Sequence, residues 1–161
     1  FIEYGILTDE KFSEKAQEEL KVFERAVHDV LDLTMTSFKN GDLNLARQVE
    51  PLEEVIDGLS LDVKQRHVRR LRKGKCTIEL GFILSDVITN FERVSDHCSN
   101  IAVCLVQVNE DEFDTHAYLD ELRQEDNKDF QSKVLACREK YQLPPTKQER
   151  LAEKNAKLLA E

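Results

Sequence analysis

The chain has 161 residues and a formal net charge of −9; 40% of its residues are hydrophobic and 34% are charged. This length suits a single domain with a sizeable core. Five Gly, three Pro and no Trp indicate a helix-rich chain with little turn chemistry for a sheet. The acidic balance argues against nucleic acid as a partner, because phosphate neutralisation needs a surplus of clustered Lys and Arg.

The first predicted helix follows a lead-in at residues 1–7, where no helical phase is evident. Thr8 or Asp9 can cap this helix, which we expect to run for about seven turns. The run Asn40-Gly41-Asp42 should end it, because Gly suits a left-handed terminal position and Asp caps the next helix. So short a connection predicts an antiparallel hairpin. The repeating core positions are Phe12, Ala16, Leu20, Phe23, Val27, Val30, Thr34 and Phe38.

The second predicted helix extends from Leu43 to Arg72 and contains Pro51. A proline inside a helix removes a backbone hydrogen bond, so we expect a kink there. The kink either aims the nearby Glu53 or only curves the helix around the core. The predicted core positions are Leu45, Val49, Leu52, Ile56, Leu59 and Val63.

The end of this helix is strongly basic. Cations near a helix C-terminus suit its dipole, but seven within twelve residues exceed that need. Two functional interpretations remain: contact with an anionic membrane leaflet, or with an acidic partner surface or phosphate. The basic residues are Lys64, Arg66, Arg69, Arg70, Arg72, Lys73 and Lys75.

The third predicted helix runs from Cys76 to Val108, after a turn at Gly74. Its apolar residues alternate in steps of four and three, which is typical of the a/d positions of a bundle helix. These positions are Leu80, Leu84, Val87, Phe91, Val94, Cys98, Ile101, Leu105 and Val108.

Carboxylates stand four residues apart on both of these helices, as Glu53 with Asp57 and Glu92 with Asp96. Side chains at this spacing share a helix face with Cβ atoms roughly 5–6 Å apart, so the like charges repel. A bound cation, or basic groups from another helix, would turn this repulsion into a net attraction. Two adjacent antiparallel helices could join four carboxylates, a geometry that suits hard or borderline cations bound through oxygen.

The alternative is structural: these carboxylates line a helix–helix boundary and pair with Arg93 or with neighbouring Lys and Arg. An Arg93–Asp96 pair would keep the carboxylate charged, and the same arginine could orient the carboxylates around a metal. The four cysteines lack C-x-x-C spacing, which favours reduced core residues over disulfides or a zinc site.

The C-terminal third begins with an acidic segment, 109–114, interpreted as a loop. Thr115 can cap a fourth helix, which Pro144 and Pro145 end. The sequence from Thr146 to Glu149 is a capping box for a last helical segment. The predicted core positions of the fourth helix are Leu119, Leu122, Phe130, Val134, Cys137 and Tyr141.

These elements predict an all-α fold: an antiparallel helical bundle of three long helices with one or two C-terminal helices. We assign residues 1–7 to a lead-in, 8–142 to the bundle and 143–161 to a helical tail. There is no nucleophile–base set, no Gly-rich phosphate loop and no Glu-x-x-His pair, so we do not expect an enzyme.

The run from Phe91 to His97, followed by Asn100-Ile101-Ala102, resembles the signature of the PhoU family. Glu53-x-x-Ile56-Asp57 resembles the matching motif of that family's preceding helix. The likeness is greatest to the PhoU-like domain of bacterial sodium/phosphate cotransporters. PhoU proteins carry two three-helix repeats, whereas this chain contains one.

The resemblance implies a regulatory domain of a phosphate transport system, at the cytoplasmic face of the membrane. It implies partners in a membrane domain of the same parent chain, expected on the N-terminal side because the chain starts at Phe1, or in the membrane surface. A single repeat supplies half of the carboxylates of a two-repeat protein, so a homodimer could complete a site that one chain forms only in part. It further implies metal, iron, manganese or zinc, at Glu53, Asp57, Glu92, Asp96 and Asn100. The alternative function is a metal-free interaction module that docks through residues 64–75.

Overall fold

The computed structural model of the chain describes residues 11–110 and 127–160. Within these ranges all regular structure is helical, which confirms the all-α prediction. None of the helices in this part of the chain is both long and apolar enough to cross a bilayer. The helices are α1 (Glu14–Asn40), α2 (Leu43–Ala46), α3 (Val49–Arg72), α4 (Ile78–Glu110), α5 (Lys128–Lys140) and α6 (Lys147–Ala160).

The first helix begins later than the sequence predicts and ends where expected. Ser13 caps α1, with its Oγ accepting a hydrogen bond from the Ala16 backbone N–H at 3.4 Å. Thr8 and Asp9, the predicted caps, lie outside the described residues. Gly41 has φ of +64°, a left-handed conformation that costs a Gly little, and Asp42 accepts hydrogen bonds from two backbone N–H groups of α2. The predicted stop and restart are confirmed.

The predicted second helix is divided in two. Its break falls at Arg47 and Gln48, between α2 and α3, so Pro51 stands in the first turn of α3 rather than inside a long helix. The predicted interior kink at Pro51 is therefore wrong. A first-turn proline costs no intrahelical hydrogen bond, because the N–H that it lacks would have had no partner there.

The core lies among α1, α3 and α4, and α5 packs against α3. The rings of Phe23 on α1 and Phe91 on α4 lie 5.5 Å apart at an angle of 54°, a tilted arrangement that adds stability beyond buried area. The short turn from α3 to α4 contains Gly74 at φ of +60°. Glycine suits this left-handed conformation because it has no Cβ atom to clash with the backbone.

The buried face of α4 departs from the predicted a/d positions. Ile101 and Val108 are 42% and 68% exposed, whereas Ala102 and Val106 are buried. A straight α-helix has 3.6 residues per turn and drifts by about 20° per heptad from a 3.5-residue repeat. Over the length of α4 this drift moves the buried face by one position. Phe38 near the end of α1 is likewise 61% exposed, while Ser37 is buried.

The loop predicted at 109–114 is wrong for its first two residues, because α4 continues through Glu110. The rest of that loop and the cap at Thr115 lie outside the described residues, as do Leu119 and Leu122. Asn127 caps α5 instead, accepting a hydrogen bond from the Phe130 backbone N–H at 3.1 Å.

The last segment returns to the bundle. The predicted capping box is confirmed: Thr146 N–H donates to the Glu149 carboxylate at 2.7 Å, and Glu149 N–H donates to the Thr146 hydroxyl at 3.3 Å. Arg66 of α3 donates from Nη1 to the carbonyl oxygen of Pro144 at 2.6 Å. The start of α6 is thus held beside the C-terminal end of α3.

Candidate functional site

A row of polar side chains follows the line where α3 faces α4. Near the start of α3, Ser99 donates a hydrogen bond to Glu50. About three and four turns later on α3, Ser60 and Lys64 donate to Glu92. Because the partner's number falls as the α3 number rises, the two helices are antiparallel, as the short turn predicts. This antiparallel arrangement brings the two predicted carboxylate pairs side by side.

Three of the predicted carboxylates converge between these contacts. Each of Glu53, Asp57 and Asp96 offers a carboxylate oxygen, and these oxygens all lie within 4.8 Å of one another. Glu53 is 6% exposed, whereas the two aspartates are exposed to solvent. Glu53 and Asp57 share a face because they are four residues apart on α3, and α4 supplies Asp96 from across the helix boundary. We call these three residues the carboxylate cluster.

The donor set of the carboxylate cluster fits a metal ion. Two ligands on opposite sides of an ion that binds oxygen at about 2.0–2.6 Å are roughly 4–5 Å apart, close to the observed spacing. Three carboxylate oxygens suit a hard or borderline divalent ion. The exposed aspartates give solvent access, while the buried Glu53 fixes one ligand on the inner side. The geometry is therefore compatible with an ion at the helix boundary.

Glu92, the fourth predicted carboxylate, is bound by groups of the protein itself. Lys64 Nζ lies 2.8 Å from Oε2 and 3.0 Å from Oε1, and the Ser60 hydroxyl donates to Oε1. Burial alone would raise the pKa of Glu92, but the hydrogen bonds from Lys64 and Ser60 outweigh it and hold the pKa below its usual value. The sequence left two alternatives for this carboxylate, a bound cation or a basic group from another helix. The structure shows the basic group, Lys64, beside Glu92.

Asn100 and Arg93 lie beside the carboxylate cluster on α4 and are both exposed. Asn100 is one turn beyond Asp96 and lines a shallow apolar surface with Phe38 and Cys104. Among the described residues, no hydrogen bond or ion pair joins Arg93 to Asp96, so the local pair considered from the sequence does not form. A role for either residue near a metal stays a prediction.

Two buried carboxylates were missed by reasoning from the sequence. Glu50 is 4% exposed and accepts the Ser99 hydrogen bond. Glu19 is 5% exposed and meets two arginines from the basic end of α3. A signal existed for Glu19, because it falls within the apolar stripe of α1, between Ala16 and Phe23. A carboxylate inside such a stripe needs a cation opposite, since an unpaired buried charge is costly.

Only some of the basic residues in the segment 64–75 are exposed at the surface. Arg70 Nη1 lies 2.6 Å from one oxygen of Glu19, and Arg66 Nη1 lies 3.5 Å from the other; the two arginine side chains are 15% and 13% exposed. With Lys64 bound to Glu92, three of the seven predicted basic residues serve internal contacts. The other four are exposed to solvent: Arg69, Arg72, Lys73 and Lys75.

All four cysteines are free, as the sequence favours. Cys98 is buried in the core, and burial raises the pKa of its thiol, which keeps the thiol protonated. Cys76 Sγ lies 3.8 Å from both ring nitrogens of the buried His67. Neither cysteine adds a ligand to the carboxylate cluster.

Comparison with known proteins identifies the region that holds these residues. A family model described as the PhoU domain matches residues 21–105, just over half of the chain, and this range includes the whole carboxylate cluster. The phosphate-specific transport system accessory protein PhoU homolog 1 of Thermotoga maritima is 27% identical over 95 residues. That alignment covers 59% of this chain and 41% of the relative, so the chain spans less than half of the relative's length. No solved structure matches the chain significantly.

Proposed function

Because the chain belongs to the PhoU family, we propose that it is a regulatory, non-catalytic domain of a phosphate transport system that binds metal through its carboxylate cluster. The single observation that carries the metal proposal is the convergence of Glu53, Asp57 and Asp96 from two helices. The similarity to the Thermotoga maritima protein, an accessory protein of a phosphate-specific transport system, supports the transport role.

The proposed ion is iron, manganese or zinc, held first by the three carboxylates of the cluster. Glu92 and Asn100 lie one turn before and one turn after Asp96 on α4, and they complete the predicted ligand set. For Glu92 to reach a metal it must give up Lys64 and Ser60, so we assign it a smaller share of the affinity. Arg93 acts, in this proposal, by orienting carboxylates rather than by touching the ion.

The test is metal content and metal-dependent stability of the purified 161-residue chain, prepared without a His-tag. The chain is dialysed against buffer containing iron, manganese or zinc in turn, and its metal content is measured by elemental analysis. The test variant is Asp57→Asn with Asp96→Asn, which removes two charges from the cluster. The matched control is Asp62→Asn with Asp86→Asn, which removes two exposed charges from the same two helices.

We expect about one ion per cluster, lost in the test variant and retained in the control. An ion bound to the folded chain at about 100 times its Kd should raise the stability by about 2.7 kcal/mol, which a thermal melt detects. Equal metal content in both variants, or no metal under any of the three conditions, would remove the carboxylate cluster as a metal site. The fold assignment would stand in either case.

The finer setting of this domain is also a proposal. We place it at the cytoplasmic face of the membrane, next to a sodium/phosphate cotransporter domain of the same parent chain. A homodimer would supply a second cluster, and the exposed Phe38 and Val108 offer apolar area for it. Sedimentation of the chain at several concentrations tests the dimer: a single monomeric species at all of them would contradict it.

The second candidate is a metal-free interaction module that docks on a partner or membrane surface through residues 64–75. The observation that favours it is the exposure of four cations in that segment, within an acidic protein. Reversing the charges of Arg69, Arg72 and Lys73 should then weaken binding to anionic vesicles, while the Asp57→Asn, Asp96→Asn variant should bind as the wild type does.

A further inference from the structure

A groove of about 460 Å³ lies where three distant parts of the chain meet. Its walls are the start of α1, the C-terminal end of α3 and the segment that leads into α6. The basic residues of α3 therefore do not stand alone. Lys15 joins them from α1, and Lys147 and Arg150 join them from α6. We call this the basic groove.

The charge in the basic groove is strongly unbalanced. Of the described residues, eight cationic and three acidic side chains line it, an excess of five positive charges in a protein whose net charge is −9. The acidic residues are not all free to neutralise that excess. Glu19 is buried and already bound to Arg66 and Arg70, which leaves Glu14 and Glu18 as the other acidic residues of the lining. Glu149, outside the lining, lies 3.6 Å from Arg66 Nη2 and accepts the Thr146 N–H of its own helix cap.

Arg70 supplies a second, independent sign of binding capacity. Its Nη1 donates to Glu19, but its Nε and Nη2 are buried and have no hydrogen-bond partner among the described residues. A buried donor without an acceptor lowers the stability of the fold. Because Arg70 lines the groove, oxygens of an anion that reached these donors would offset this cost. The planar fork of a guanidinium suits the spacing of two phosphate oxygens.

We propose that the basic groove binds a compact, multivalent anion through its phosphoryl groups. Five excess positive charges in so small a volume favour a ligand with several negative charges close together, such as a condensed phosphate. A flat acidic protein surface would reach the exposed Lys73 and Lys75 but not Arg70 inside the groove. A phosphorylated lipid headgroup offers the same chemistry from a membrane, so the experiment separates the two sources.

This site is separate from the carboxylate cluster and does not depend on the proposed metal. Glu53, Asp57 and Asp96 lie toward the opposite end of α3 and are not among the residues that line the groove. Metal content should therefore be the same whether or not the groove is altered. Loss of anion binding with metal binding retained, or the reverse, distinguishes the two proposals.

The experiment is calorimetric titration of the full 161-residue chain with inorganic phosphate, pyrophosphate and tripolyphosphate at low and high salt. Citrate, a multivalent carboxylate, tests the class of anion. Phosphatidylcholine vesicles with and without phosphatidic acid, whose headgroup is a phosphate monoester, test the lipid source by co-sedimentation. The test variant is Arg69→Glu with Lys73→Glu, two exposed groove residues. The control is Arg72→Glu with Arg138→Glu, an equal charge change at exposed positions outside the groove.

We expect affinity to rise from phosphate to tripolyphosphate and to fall with salt. The groove variant should lose at least about tenfold in affinity and the control less than about twofold, because a like charge in the site repels the anion. If only phosphatidic acid vesicles bind and the groove variant alone loses this binding, the phosphoryl group comes from lipid. No binding of any probe, citrate binding as tight as tripolyphosphate, or equal losses in both variants would overturn the proposal. Circular dichroism of both variants verifies that each is folded.

Discussion

Lys64 and Glu92 form the contact that divides the predicted carboxylates into two groups. The lysine Nζ lies 2.8 Å from one carboxylate oxygen and 3.0 Å from the other, across the boundary between α3 and α4. The ammonium group of Lys64 therefore lies beside Glu92, whereas Asp96, one turn later on α4, lies with Glu53 and Asp57. Two carboxylates that look equivalent in the sequence have different neighbours in the fold.

Removing this pair should cost little. Lys64 is 38% exposed and Glu92 28% exposed, so solvent screens the attraction, and we expect Lys64→Met to destabilise the chain by about 0.5–1 kcal/mol. The pKa of Glu92 lies below its ordinary value of 4.5, so the contribution is present above that pH and is lost as the pH falls through the folded-state pKa. Urea unfolding at pH 7 and pH 3, with the exposed Lys21→Met as control, measures it. An equal cost at both pH values would contradict the ion pair.

The hydrogen bond from the Tyr141 hydroxyl to the carboxylate of Asp29 ties the end of α5 to α1. This bond, with a second from Lys140, lowers the pKa of Asp29. Tyr141→Phe should cost about 1.5 kcal/mol at pH 7, because a bond to a charged acceptor is lost. The cost should shrink as the pH falls through the folded-state pKa, where the carboxylate protonates. Chemical unfolding across this range checks it, and Lys140→Met, which leaves the tyrosine in place, should cost less.

His67 should make the chain less stable in mild acid. Burial, followed by the charge of Arg70, lowers its pKa below 6.5, and Glu19 only partly opposes this. The folded state therefore favours the neutral ring, so the contribution is complete above pH 6.5 and is lost as the pH falls through the folded-state pKa. Thermal melts between pH 8 and pH 5 should show this loss, and His67→Gln should reduce it. The exposed His97→Gln serves as control; a slope unchanged by His67→Gln would rule out this residue as the cause.

Substitution of Glu19 should destabilise the fold strongly. It is buried against Arg66 and Arg70, and its removal leaves two poorly solvated guanidinium groups without their carboxylate. Breaking a buried ion pair from one side costs about 3–5 kcal/mol. Glu19→Ala should therefore lower the melting temperature strongly, whereas the exposed neighbour change Glu18→Ala should have little effect. Similar melting temperatures for the two variants would show that the charges are solvated after all.

Features that depend on neighbours in the chain were predictable from the sequence. The stop at Gly41, the cap at Asp42 and the capping box from Thr146 to Glu149 each involve residues within one turn of one another. Hydrogen-bond geometry and backbone conformation over so short a distance follow from residue type. Pro51 failed as a marker because a proline is compatible with the first turn of a helix as well as with a kink.

Predictions that needed a helix to be followed over many turns were less accurate. The positions expected to be buried on α4 agreed at Leu84 and Cys98 but not at Ile101 and Val108. The difference between 3.5 and 3.6 residues per turn is small within one heptad and accumulates over four. Only the packed bundle reveals which period the helix keeps.

The sequence by itself determined the all-helical fold, the stop at Gly41, the short antiparallel turn at Gly74 and the spacing of carboxylates four residues apart, because all of these follow from local sequence. The tertiary structure decided which charges meet. The packing of α4 on α3 places Asp96 beside Glu53 and Asp57, and it pairs Glu92 with Lys64. The basic groove forms from segments as far apart in the sequence as Lys15 and Arg150. Such contacts depend on the register and rotation of one helix against another, which are set by the packing of the whole core.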